Sequence, residues 1–426
     1  MSWPSRASAL PTSSPPSRAP SRTSWTGPGL DGASTALVDW LADAALPLWA
    51  TAGFDEATGR FAERLTLQGE PLAEAPLRLM SQARQVHAFA LAARRGWYAD
   101  AGPVAERGFA AMVRDFHARD GEGGWAFSID ASGAVRDPRR DLYAHAFVLL
   151  AIASHVAATG RTEAIALADE TLAFIETRMR AREGGGFVEQ LPETPGPRRQ
   201  NPHMHLFEGA LALFEVSGEA RHGRWVDELF ELFASRFFRP REGVVVEYFT
   251  AGLDPADGIE GRLVEPGHHH EWIWLLRRYE GATGRPVQAL VDALYDHAVR
   301  FGVDSGGLVV DQVLADGSRP GRLRRIWPLT EAIRAHVVEA RHGRIEAAER
   351  AAALAAVLRQ RFLTRQPAGG WIDRRDEDGR TLSQFMPAST LYHLVGAVDE
   401  LAAAGASRPP TVGHPIKLED GPIPTA

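Results

Sequence analysis

The densest concentration of acid–base groups in the chain is Glu265-Pro266-Gly267-His268-His269-His270-Glu271-Trp272. Imidazole titrates near neutral pH, so a histidine can remove a proton from carbon and return it. Pro266-Gly267 breaks the incoming segment and opens a helix. On that helix His268, Glu271 and Trp272 share one face, while His269 and His270 point elsewhere. Three consecutive histidines cannot all meet one metal from a helix, and no second ligand pair stands at i+4, so no metal is expected. An imidazole, a carboxylate and a stacking ring at one helix mouth suit a polyol instead.

Other segments carry matching chemistry. In Asn201-Pro202-His203-Met204-His205-Leu206-Phe207-Glu208, Asn201 and His205 share a face with Glu208. Arg84 lies in an otherwise apolar helix and needs a partner when buried, either Glu331 or Glu271 or a substrate oxygen. Trp327-Pro328-Leu329-Thr330-Glu331 opens another helix, Tyr143 stands between Asp141 and His145, and Tyr392-His393 lies near the end. Each has a plain structural reading as well: a cap, a packed aromatic, a satisfied core histidine. Together, two histidines from different helices, an arginine and a carboxylate suit proton abstraction beside a carbonyl, with the arginine stabilising the enediolate oxygen.

The elements that must position them repeat. Short Gly/aromatic segments centred on Phe61, Trp125, Phe187, Val245, Leu308 and Trp371 recur every 58 to 64 residues. Helix-periodic stretches fill the intervals, near 33–50, 76–96, 101–118, 140–160, 162–182, 202–218, 222–238, 268–284, 286–302, 327–343, 345–364 and 386–404. Twelve helices in six pairs, with Ala-rich faces at Ala351–Ala356 and Ala402–Ala404, predict an all-α fold closed into an (α/α)6 barrel. Alternate helices then start at one end, beneath the hairpin excursions. The even-numbered ones hold Arg84, Tyr143, Asn201, His205, His268, Glu271, Trp327, Glu331 and His393.

Composition narrows the class. Residues 1–32 are rich in Ser, Pro and Arg and read as a disordered tail; 33–406 form the barrel, and 407–426 a second irregular tail. The net charge of −7 argues against nucleic acid and anionic membranes, and no apolar run is expected to span a bilayer. The chain has no cysteine, which excludes disulfides and thiolate chemistry and is compatible with the cytoplasm. A monomer or homodimer is expected.

These motifs resemble those of the N-acylglucosamine 2-epimerase family, whose members include mannose isomerase, sulfoquinovose isomerase and cellobiose 2-epimerase. The resemblance covers roughly residues 35–404 and rests on the four motifs around His268, Asn201, Trp327 and His393. It implies the same barrel and an aldose–ketose isomerase interconverting mannose and fructose through a cis-enediol. It further implies His268 and His393 as the acid/base pair, with His393 the base, and Glu271 holding a hydroxyl or orienting a histidine. By the same resemblance Arg84, Asn201 and His205 bind the sugar, with Tyr143 and Glu331 beside them, Trp327 and Trp371 stack on it, and no metal or redox cofactor is needed. Met80 stands where many relatives have tryptophan. No phosphate cradle is evident, so a free sugar is expected. The alternatives are 2-epimerisation of an N-acylglucosamine or disaccharide, a glycosidase, or a non-catalytic carbohydrate-binding protein.

Overall fold

The computed structural model describes residues 30–405 apart from 74, 320 and 322; the expected tails lie largely or wholly outside them. Twelve helices follow in pairs. Helix α1 runs from Leu30–Trp40 through a π-helical turn, Leu41–Ala45, into Leu46–Thr51. Next come α2 (Leu79–Arg95), α3 (Ala101–Phe116), α4 (Leu142–Thr159), α5 (Ile165–Arg178) and α6 (Gln200–Ser217). Helix α7 (Ala220–Leu232) extends through a π-turn, Phe233–Phe237. Then follow α8 (Pro266–Thr283), α9 (Gln288–Phe301), α10 (Ile326–Arg341), α11 (Ile345–Val357, extended by Leu358–Phe362) and α12 (Thr390–Gly405). Each lies within a few residues of its expected span. Helix α12 starts later than predicted because Phe385–Pro387 is a strand.

The six even helices form the inner ring. Consecutive members pack side by side, and α12 returns to α2, so the ring is closed. Their burial explains the sequence: α4, α6, α8 and α10 are buried nearly all round, whereas α3, α7 and α9 bury one stripe. Among the described residues α4 alone is long and apolar enough to match a membrane span, contrary to expectation; it is an inner barrel helix, mostly buried.

A second ring of short strand pairs surrounds the mouth. The strand before each inner helix pairs with the excursion of a neighbouring repeat: Leu77–Arg78 with Ser128–Ile129, Arg140–Asp141 with Gln190–Leu191, and Arg198–Arg199 with Tyr248–Phe249. Leu263–Val264 with Val313–Leu314 and Arg324–Arg325 with Arg374–Arg375 continue it. The strand before α12, Phe385–Pro387, pairs with the first excursion, Arg64–Thr66. Chain ends far apart in sequence are thereby tied at the mouth.

The periodic Gly/aromatic positions have a common reason. An inner-helix side chain accepts the backbone N–H of Phe61 (Gln82, 2.9 Å), Trp125 (His145, 3.2 Å), Phe187 (His203, 3.0 Å) and Val245 (His269, 3.0 Å), and the sulfur of Met386, on the strand before α12, accepts that of Trp371 (3.3 Å). In the fifth repeat Leu308 donates instead to Asp304 in its own loop, at 3.0 Å. A buried N–H without an acceptor is costly, so these side chains pin each excursion to the ring. Gly186 makes one pin possible: φ is +65° and a Cβ would lie 2.8 Å from His203 Nε2.

Candidate active site

The inner helices open at the strand ring into a cavity of about 930 Å³. Its wall includes Met80, Arg84, Tyr143, Asn201, His205, Glu247, His268, Glu271, Trp327 and His393. Trp327 separates two imidazoles, with ring centroids 4.9 Å from His268 and 5.6 Å from His393. Gly267 allows this: a Cβ there would lie 2.5 Å from the Trp327 ring.

His268 occupies the first turn of α8 and is 6% exposed. Its Nδ1 is 2.9 Å from Glu247 and 3.7 Å from Glu265. Burial opposes a charge on this ring, but Glu247, then Glu265 and Glu271, outweigh it and raise the imidazole to about 9. Glu247 is itself fixed: Gln200 donates to it at 3.0 Å and the Glu265 backbone N–H at 3.2 Å, while Trp272 Nε1–H donates to Gln200 at 2.8 Å. Trp272 thus turns away from the cavity, into a stack with Phe233 and Phe207, unlike the shared face expected from helical spacing.

His393, also 6% exposed, sits in the first turn of α12. Its Nδ1 lies 2.7 Å from Glu331, which accepts from Arg334 at 2.7 Å. Burial, then the charges of Arg84, His205 and Arg334, drive His393 well below its ordinary range. It is therefore neutral. With Nδ1–H donated to Glu331, its basic lone pair is on Nε2.

Between them lies a buried network. Tyr392 OH donates to Glu208 at 2.7 Å and lies 3.3 Å from Glu271; His205 Nδ1 is 3.0 Å from Glu208. Burial lowers His205 to about 4 and pushes Glu271 well up, next to Glu331 and Glu208. Burial would raise Glu208 too, but His205 and Arg334 hold it low. Two triads, His205/Glu208/Glu271 and Glu271/Glu331/His393, place metal-ligand atoms within 4.8 Å of one another. Their atoms are largely engaged already, with Arg334 against Glu331 and Tyr392 against Glu208, and Glu271 Oε2 is left without a hydrogen-bond partner.

Most expected site residues converge here. Arg84 meets neither Glu331 nor Glu271; its guanidinium donates to Tyr143 OH (2.6 Å) and the Ser389 carbonyl (3.3 Å), and packs on Phe147 at 4.1 Å. Asn201 lines the cavity with its Oδ1 unpartnered. Two residues fall elsewhere. Glu331 is 0% exposed and stands behind His393 rather than on the cavity wall. Trp371 is also 0% exposed, stacked on Trp49 at 5.3 Å in the outer layer, and takes no part in the cavity. Its Gly-Gly-Trp setting is that of the pinned repeat position, which wants a buried ring. His269 and His270 are packed, as expected, against His297 and His336. Sequence reasoning missed Glu247 and Gln200. Glu247 had a signal, an acid at the end of the apolar run Val244-Val245-Val246.

Residues 59–397 match the N-acylglucosamine 2-epimerase (GlcNAc 2-epimerase) family. The chain belongs to this family. It is 37% identical over 379 residues to the mannose-6-phosphate isomerase of Rhizobium meliloti (strain 1021), covering 86% of this chain and 95% of that protein. It is 31% identical over 328 residues to the D-mannose isomerase of Thermobifida fusca, covering 72% and 77%. The cellobiose 2-epimerase of Spirochaeta thermophila DSM 6192 has the same fold, with TM-score 0.79 at 24% identity over 88% of this chain and 97% of that one. The family's relatives are thus sugar isomerases and epimerases on an (α/α)6 barrel.

Proposed function

We propose that this protein interconverts D-mannose and D-fructose by proton transfer through a cis-enediol. The observation that carries the reading is a charged and a neutral histidine facing one cavity across Trp327. His268, protonated at neutral pH, gives its Nε2 proton to the ring oxygen as the C1–O5 bond breaks, and takes up the proton that the C1 hydroxyl releases as the carbonyl forms. His393 Nε2 then takes the proton from C2 as the C1 carbonyl becomes an enediolate oxygen. The Arg84 guanidinium and Asn201 are placed to stabilise that oxygen. His393, whose Nε2 proton exchanges with solvent, delivers a proton to C1, the O2 proton passes to O1, and the ketose results. Glu247 and Glu331 act through the histidines, as positioning residues. Two similar proteins are named for mannose or its 6-phosphate, which share the hexose skeleton this sequence of steps requires. Cytoplasmic residence, as a monomer or homodimer, belongs to the same proposal.

The cellobiose 2-epimerase likeness in fold keeps one other outcome in view: His268 returning a proton to the opposite face of C2. Incubation with mannose in heavy water separates the two. Fructose carrying deuterium at C1 supports isomerisation, and glucose carrying deuterium at C2 identifies epimerisation. Absence of product and of exchange with every hexose tried would sink both.

A further inference from the structure

The arginines around the cavity differ in what holds them. Arg78 is bound by Glu63, Arg199 by Glu189 and Arg325 by Asp311, so their charges are spent within the wall. Arg64 is different. Among the described residues it has no carboxylate and no hydrogen-bond acceptor; its guanidinium lies over the Phe385 ring at 4.5 Å, and its Nε is buried without a partner. Arg64 pairs across the strand with Pro387, which also lines the cavity. Arg139 also lies over a ring, 3.6 Å from Phe127, but the wall holds it as well, with Asp137 3.3 Å from its Nε and Gln190 accepting from its guanidinium at 3.4 Å.

These two platforms occupy adjoining hairpins of the rim. Glu63, next to Arg64, binds Arg78, whose strand pairs with Ser128–Ile129 directly after Phe127. A half-buried guanidinium without a counter-charge, as Arg64 is, is expensive to maintain. A planar aromatic support keeps its edge donors in place, and that edge matches a phosphate's oxygens in pairs. The cavity is also near the top of the range for small-molecule sites, roughly 300–1,000 Å³, more room than a lone hexose needs.

We propose that Arg64 on Phe385, assisted by Arg139 on Phe127, is a subsite for a phosphate monoester carried on the sugar carbon farthest from C1 and C2. The enzyme then takes hexose 6-phosphates in preference to the free hexoses. The inference rests on the isomerase reading and specifies its substrate class.

The test is steady-state kinetics of the full chain with mannose and mannose 6-phosphate, for the wild type, Arg64→Gln and Arg64→Lys. The wild type should favour the phosphate in kcat/KM by at least about tenfold. Arg64→Gln should cut that preference roughly 10- to 100-fold, mainly through KM for the phosphate, and Arg64→Lys should restore part of it. No wild-type preference, or the same preference in Arg64→Gln with circular dichroism unchanged, overturns the subsite. Calorimetric titration with both sugars separates the two readings if neither is turned over. Tighter binding of mannose 6-phosphate that weakens in Arg64→Gln upholds the subsite while the isomerase reading falls. Equal binding of the two sugars removes the subsite.

Discussion

His268 and His393 present the same ring to the same tryptophan, yet they are opposites chemically. Each donates or shares Nδ1 with a buried carboxylate, Glu247 in one case and Glu331 in the other. The difference lies behind the carboxylates. Glu247 is backed by neutral donors, Gln200 and a backbone N–H, with Glu265 adding a further acid near His268. Glu331 is backed by Arg334, and Arg84 adds positive charge near His393. An imidazole's role is therefore set by what its partner is partnered with. The first is held protonated, the second neutral.

The largest effect should come from removing the base. His393→Ala is expected to lower kcat by about 10²–10⁴-fold, the usual worth of a positioned general base. Deuterium exchange into recovered mannose, followed by NMR, should vanish in parallel, with the thermal transition nearly unchanged. Exchange persisting at the wild-type rate would assign the carbon proton to another residue.

Removing the carboxylate behind the acid should give a smaller and pH-dependent effect. Glu247 stabilises the charged form of His268, so Glu247→Gln must lower the pKa from about 9 towards the ordinary histidine range. The alkaline limb of the kcat/KM profile, which reports the free enzyme, should move down with it. A loss of roughly tenfold at pH 8 is expected, shrinking at lower pH. Stability follows the same sign. The folded pKa is raised, so the His268–Glu247 contribution is fully present below about 6.5 and is lost as pH rises through about 9. Wild-type Tm should fall across that window more steeply than that of Glu247→Gln. An alkaline limb that stays put in the variant would remove Glu247 from this role.

Much of this comparison was legible in the sequence, for identifiable reasons. Helical periodicity and the 58–64-residue spacing determine the barrel, because each inner helix must be apolar nearly all round and each excursion needs a pinned residue. The two histidines stand out because they sit in first turns at the mouth. What periodicity does not carry is pairing between repeats. Glu247 reaches His268 from a hairpin, Arg64 meets Phe385 where the ring closes, and Glu331 on α10 meets His393 on α12. Trp371 misled because an aromatic after Gly-Gly looks the same whether it faces a ligand or a neighbouring Trp49. Arg84 misled because its partner is a neutral phenol.

The contact between the halves can be disturbed without touching either histidine. Gly267→Ala places a methyl group 2.5 Å from the Trp327 ring, so the ring or the first turn of α8 must move. Overpacking of this kind costs about 1–3 kcal/mol of stability. Displacing Trp327 shifts both imidazoles, so kcat should fall several-fold more than KM rises. Pairing the change with Trp327→Phe, which frees space, should recover part of kcat; no recovery would mean that the tryptophan does not set the histidine spacing.

The smallest effect on turnover, and the sharpest contrast, should come from the next residue. His269 is adjacent to His268, wholly buried, and kept neutral by burial, with Nε2 accepting the Val245 N–H. It repeats the task of His145 and His203 in earlier pairs, holding an excursion to the ring rather than facing the sugar. His269→Ala should leave that N–H unpaired at a cost of about 1–3 kcal/mol, read as a lower denaturant midpoint, and kcat at 25 °C should change by no more than about threefold. His269→Gln, long enough to offer an acceptor as Gln82 does to Phe61, should recover part of the stability. A variant that kept its stability but lost turnover would show that chemistry extends beyond His268 along α8, and the division between pinning and reacting histidines would have to be redrawn.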